Sequence, residues 1–189
     1  MIRAITNSGP TKFLRQASFL FCLFLACGVS AQLLEYDTRI SAEPEKLTIE
    51  ESILIQVTDQ SFDRLSDVSI EYLGDDEIAI LEASLLDGQG KLIRSISKKE
   101  IVTRHDISEG IFFSNNWVKE FKVVGPTYPY RIRYRVRTTR KKFTQIVRWY
   151  PMIHTTVSTL KATLHLTTPR DYPVLIEQTG NPSYDSVIQ

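Results

Sequence analysis

From Leu33 onward the apolar residues recur with period two, in short runs rich in Val, Ile, Thr, Tyr and Phe and separated by turn residues. That pattern predicts strands at Leu33 to Ile40, Leu47 to Thr58, Asp67 to Leu73, Glu77 to Leu86 and Lys91 to Ile96. Further strands are predicted at Trp117 to Val124, Tyr130 to Thr139, Thr144 to Tyr150, Thr155 to Thr167 and Pro173 to Gln178. The fold class that follows is all-β, an antiparallel β-sandwich-like single domain over residues 32–178. Asp87-Gly88-Gln89-Gly90 is the sharpest turn, because glycine takes the positive φ that a tight hairpin demands. Glu43-Pro44-Glu45 and Gly125-Pro126-Thr127-Tyr128-Pro129 are shorter breaks between strands. Ile101 to Asn116 has no clean period and reads as a long surface loop, and residues 179–189 read as a disordered tail.

The first 31 residues break this pattern. Arg3, Lys12 and Arg15 precede an apolar stretch from Ala17 to Ala26, and Val29 and Ala31 frame a cleavage site before Gln32. The stretch falls short of the ~20 residues a membrane-spanning helix needs. Residues 1–31 therefore read as a signal peptide cut between Ala31 and Gln32, with a periodic, period-two domain exported to the periplasm or beyond and no transmembrane helix left in it. A second reading stays open: Leu25-Ala26-Cys27-Gly28 resembles a lipobox, in which Cys27 would carry lipid and anchor the protein in the envelope.

Processing changes the composition. Cys22 and Cys27 are the only cysteines, so cleavage leaves a 158-residue chain from the original 189 without a thiol or a disulfide. Removing three of the 23 Lys and Arg and none of the 22 Asp and Glu leaves 20 against 22, a net charge of −2. That balance supplies no global attraction for nucleic acid or anionic membrane, and a nucleic-acid partner is not expected.

The most ordered motif is Arg131-Ile132-Arg133-Tyr134-Arg135-Val136-Arg137, which puts Ile132, Tyr134 and Val136 on one strand face and four arginines on the other. Four guanidinium groups ~7 Å apart can grip a polyanionic glycan or polymer, and they can equally be a solvated face neutralised across strands. If Trp117 to Val124 folds back on this strand, Glu120 falls opposite Arg135 but Lys122 falls opposite Arg133, so another neighbour has to supply acid. Trp149 and Tyr150 can stack on sugar rings or pack in the core. Arg131, Arg133, Arg135, Arg137, Trp149 and Tyr150 are the candidate ligand-binding residues.

Catalytic chemistry is thin. His105, His154 and His165 are scattered without a metal-binding spacing, and His165 falls out of step with Leu160, Ala162, Leu164 and Leu166, facing away from the core. Asp75-Asp76-Glu77 reads as a solvated turn or a weak hard-cation site. No Gly-x-Ser-x-Gly elbow is present. Neither a metal, a cofactor nor an enzymatic activity is expected.

Four segments carry a family resemblance: Glu82-Ala83-Ser84-Leu85-Leu86-Asp87-Gly88-Gln89-Gly90-Lys91, Ser114-Asn115-Asn116-Trp117-Val118-Lys119, Tyr128-Pro129-Tyr130 leading into the arginine strand, and Trp149-Tyr150-Pro151 with the strand closing at Thr168-Pro169. In order and spacing the chain from about Leu33 to Val174 resembles the bacterial domain of unknown function 3857 (DUF3857). The resemblance implies an exported β-sandwich-like module that precedes a transglutaminase-like domain of the cysteine, histidine and aspartate type. It carries no catalytic residues over. Since the sequence stops at Gln189, where the family adds strands and then an enzymatic core, the resemblance implies a truncated chain with an exposed edge. Its expected partners are a transglutaminase-like domain or another envelope protein.

Overall fold

The computed structural model describes residues 31–106, 115–172, 174, 175 and 177. Residues 1–30 of the expected leader, with Cys27, and the expected tail 179–189 lie outside them, as do Pro173, Ile176 and Gln178 of the strand expected at Pro173 to Gln178. The domain is all-β. Its strands are β1 (Gln32–Glu43), β2 (Lys46–Val57), β3 (Asp67–Leu73), β4 (Glu77–Asp87), β5 (Leu92–Ser95), β6 (Val102–His105), β7 (Asn116–Lys122), β8 (Tyr130–Arg140), β9 (Ser158–Thr159) and β10 (Ala162–Thr167).

They form two sheets. The larger runs β10-β1-β2-β8-β4-β5, with β9 also beside β1, and the smaller runs β3-β7-β6. Pairing is antiparallel except along β1, where β9 and β10 both run parallel to it. The expected single strand from Thr155 to Thr167 is thus cut in two. β1 shifts register between Leu33 and Glu35, and Leu160 and Lys161 bridge the break through Leu160 N to Leu33 O at 2.9 Å and Tyr36 N to Lys161 O at 3.0 Å.

β8 is the centre of the large sheet, between β2 and β4. Its alternate residues Tyr130, Ile132, Tyr134 and Val136 are buried, opposite Val57, Ile55 and Ile53 of β2 and Leu85, Ala83 and Ile80 of β4. The small sheet closes over this face with Val68 and Phe121, whose ring meets Tyr134 edge-on at 6.0 Å. Burying each of these side chains contributes roughly 1.5–3 kcal/mol.

The small sheet covers only part of the inner face. Farther along, Ile40, Ala42, Leu47 and Ile49 form a second cluster roofed by Phe143, Ile146 and Val147. Ile146 and Val147 belong to the segment expected as a strand at Thr144 to Tyr150, which has no strand pairing. It satisfies its apolar residues by lying across β1 and β2, so packing overrides β-propensity. β6, expected to be loop, is a strand against β7. The Asp87 to Lys91 hairpin forms as expected: Gly90 has φ +91°, and Asp87 Oδ1 accepts from Gln89 N at 3.0 Å and Lys91 N at 2.8 Å.

Candidate functional site

Because Ile132, Tyr134 and Val136 point into the core, Arg131, Arg133, Arg135 and Arg137 share the outer face of the large sheet. The hairpin expected between β7 and β8 does not form. β7 crosses to the other layer, so Phe121 does face Tyr134, but across the sandwich instead of beside it. Glu120 is therefore forked by Arg104, with Nε to Oε2 at 2.9 Å and Nη2 to Oε1 at 2.7 Å, and its carboxyl is held below the usual range by those bonds. Lys122 pairs with Asp67 at 2.9 Å. The repulsion between Lys122 and Arg133 is thereby removed.

The strands that do flank the ladder supply acid unevenly. Arg137 lies opposite Glu50 and donates to it at 2.6 Å, and Arg135 lies opposite Ser52 and Glu82. Arg133 lies opposite Leu54 and Ser84. Arg131 lies opposite Gln56 and Leu86, and its Nε donates to Gln56 Oε1 at 3.1 Å. The charged face continues onto β1 and the strand beside it: Arg39 pairs with Asp37 at 3.1 Å, His165 Nε2 stands 3.6 Å from Asp37, and Lys161 meets Glu35 at 2.9 Å. His165 thus faces outward as its phase predicts. A shallow cavity of about 120 Å³ opens between Asp37, Arg39, Glu50, Glu51, Ser52 and Arg135.

Trp149 does not join this face. Trp149 is half-buried against the opposite side of the sheet: its Nε1 donates to Thr38 at 3.0 Å and its ring lies 6.4 Å from Tyr36. The Tyr36 hydroxyl donates to Glu51. Two hydrogen bonds, Trp149 to Thr38 and Tyr36 to Glu51, thus lie side by side on the inner face of β1 and β2. Burial first, then the Glu51 charge, raises the pKa of Tyr36, and the same two causes raise Tyr134. Tyr150 is exposed. Trp149 is thus on the side of the sheet opposite the four arginines.

Asp75-Asp76-Glu77 is likewise dispersed. Arg140 grips the buried Asp76 with Nη2 to Oδ2 at 2.7 Å and Nε to Oδ1 at 2.9 Å, and Lys141 takes Glu77 at 3.2 Å. Arg140 also lines a cleft of about 230 Å³ with Glu71, Tyr72, Leu73 and Asn116. Among the described residues no group of three or more His, Cys, Asp or Glu is placed to hold a metal. The histidines stay apart: His105 stacks on Trp117 at 3.5 Å, and His154 Nδ1 is 3.2 Å from Arg64 Nη2. Sequence reasoning missed Asp63, which accepts from Tyr128 at 2.6 Å and Tyr130 at 3.3 Å. No local motif marks it, since its partners are more than sixty positions away.

The family described as "Domain of Unknown Function with solved-structure structure (DUF3857)" matches residues 45–188. No curated protein matches the chain. Among solved structures, a "putative protease" from Parabacteroides distasonis ATCC 8503 superposes with a TM-score of 0.62 at 11% identity, over 76% of this chain and 30% of that one. An aminopeptidase A from Legionella pneumophila matches at a TM-score of 0.30 and 10% identity, over 57% of this chain and 10% of its own. An M1 zinc metallopeptidase from Deinococcus radiodurans matches at 0.26 and 13% identity, over 58% of this chain and 21% of its own. The chain therefore spans under a third of each of these structures. No helix of the described residues is long and apolar enough to cross a membrane.

Proposed function

The chain belongs to the DUF3857 family, and from that membership we propose that it is a non-catalytic accessory domain of the bacterial cell envelope, which positions or gates a transglutaminase-like domain. The observation that carries this reading is coverage: the same fold accounts for 30% of a longer chain described as a protease, the proportion expected of one module among several. The catalytic cysteine, histidine and aspartate belong to the partner in this reading. Mixing the purified 32–189 chain with a transglutaminase-like domain encoded beside it tests the proposal. A complex in sedimentation and a changed rate of peptide cleavage or cross-linking are the expected results, while no complex and an unaltered rate refute it.

Export is part of the same proposal. Ala31, the last residue of the expected leader, is fully buried and Gln32 opens β1, so signal peptidase must reach this bond before the strand docks. The exported protein is then expected to start at Gln32 by mass spectrometry. Fatty-acid labelling that disappears in Cys27→Ala would favour the lipid-anchored form instead.

A second reading, binding of an anionic envelope polymer by the arginine face, is favoured by one observation: neither Arg131 nor Arg133 has a carboxylate opposite it on β2 or β4.

A further inference from the structure

The arginine ladder divides chemically into two halves. In the lower half Arg137 is neutralised by Glu50 at 2.6 Å, and Arg135, without a direct ion pair, lies opposite Glu82 and lines one cavity with Asp37, Glu50 and Glu51. In the upper half the residues opposite are Leu54, Gln56, Ser84 and Leu86, all uncharged. Glu35, two strands away beside Leu54, is already held by Lys161 at 2.9 Å. Among the described residues no carboxylate lies within ion-pair distance of Arg131 or Arg133.

Arg131 is nevertheless held in place. Gln56 Oε1 accepts from its Nε, and its Nη1 lies 3.2 Å from where a Cβ on Gly90 would sit, so the hairpin turn backs the guanidinium closely. A neutral amide orients the guanidinium without cancelling its charge, which leaves the terminal nitrogens as donors for an incoming oxyanion. Arg133 stands on the same face roughly 7 Å away, exposed and with no charged neighbour directly across.

We propose that Arg131 and Arg133 form an oxyanion clamp for acidic groups of an anionic polysaccharide, with Arg137 held in the sheet's own ion pair to Glu50 and Arg135 set among carboxylates. This deepens the second reading above and rests on it. A polysaccharide fits better than a nucleic acid. The side chains across from the two arginines offer no aromatic platform for a base, whereas the Gln56 amide retains its NH₂ group to donate to a sugar hydroxyl. The uncharged flanks also explain how a chain with a net charge of −2 after processing can hold an anion locally.

Two charge-matched variants test the division, Arg131→Gln with Arg133→Gln and Arg135→Gln with Arg137→Gln, measured on polygalacturonate by calorimetry and on heparin resin by salt elution. The first is expected to weaken polygalacturonate binding by about tenfold or more and to elute at clearly lower salt, the second to change affinity by no more than about twofold. Equal weakening in both overturns the clamp but leaves polyanion binding standing. No change in either overturns both. Gln56→Glu keeps every arginine and adds a carboxylate opposite Arg131, so it is expected to weaken binding without disturbing the strand, and unaltered affinity in that variant counts against the clamp. Tighter binding of a single-stranded oligonucleotide than of polygalacturonate overturns the choice of ligand.

Discussion

A methyl group is enough to probe how closely the connection from β7 packs on the start of β8. A Cβ built on Gly125 would meet Tyr130 at 2.5 Å from Cγ and 2.7 Å from Cβ and Cδ1. Tyr130 is fully buried at the start of β8 and has nowhere to retreat. Gly125→Ala is therefore expected to lower stability by about 1–3 kcal/mol in urea denaturation. Gly88→Ala, whose Cβ would stand farther off, 3.0 Å from the exposed Pro129, is expected to cost less, and the reverse order would disprove the packing described for Tyr130. The Asp76 and Arg140 pair makes a second residue-scale prediction. The Asp76 side chain is 2% exposed and that of Arg140 29%. Arg140→Leu strands a buried carboxylate and is expected to cost roughly 2–3 kcal/mol, short of a fully buried pair because Arg140 still touches water. The double variant Asp76→Leu, Arg140→Leu is expected to recover most of that loss in the same denaturation assay; a double variant as unstable as the single one would show that the carboxylate is not the source of the cost.

At the scale of elements, what could be read in advance depended on whether both neighbours of a strand lay in one sheet. β8 alternates strictly because β2 and β4 flank it and one face is buried, so period two identified its core and its arginines correctly. The same period says which face a residue takes but not which strand lies opposite. Glu120 was assigned to Arg135 through the nearest strand in sequence, whereas the acid that reaches the ladder, Glu50, is 87 positions from Arg137. β6 was illegible for another reason: Val102, Thr103, Arg104 and His105 are all exposed, so no buried face imprints a period. The roof over β1 and β2 was misread as a strand because its apolar residues answer to packing and a hydrogen bond from Trp149, not to a ladder. Trp149→Phe keeps an aromatic ring and deletes the donor to Thr38. The expected result is a loss of about 1 kcal/mol with faster amide exchange along β1 and through 143–157, while β4 and β8 stay protected. Uniform acceleration across all strands would mean that the roof is no separate element.

For the molecule as a whole, the phenols of the interior set an alkaline limit to the fold. Tyr36, Tyr130 and Tyr134 all lie on the inner face of the large sheet, and burial is the leading cause that raises each of their pKa values, to about 12 for Tyr130. The exposed Tyr128 is raised to about 12 as well, first by its hydrogen bond to Asp63. Unfolded tyrosine titrates near 10. Between about pH 10 and 12 the unfolded chain therefore loses phenolic protons that the folded chain retains, so fewer protons are bound in the unfolded state and stability falls as pH rises. Below pH ~10 both states are protonated and the stabilisation is fully present. Each buried phenol is expected to remove at most about 1.4 kcal/mol per pH unit across that window, so the three together remove at most about 8 kcal/mol by pH ~12, enough to exhaust a margin in the lower half of the typical 5–15 kcal/mol. Tyrosinate absorbance should then rise as one cooperative step coincident with loss of the β-sheet circular dichroism signal, and Tyr130→Phe should make the loss of stability shallower. Gradual titration with the sheet intact past pH ~12 would show that the phenols reach water without unfolding, and that the closure of the small sheet over β8 is looser than the contact between Phe121 and Tyr134 implies.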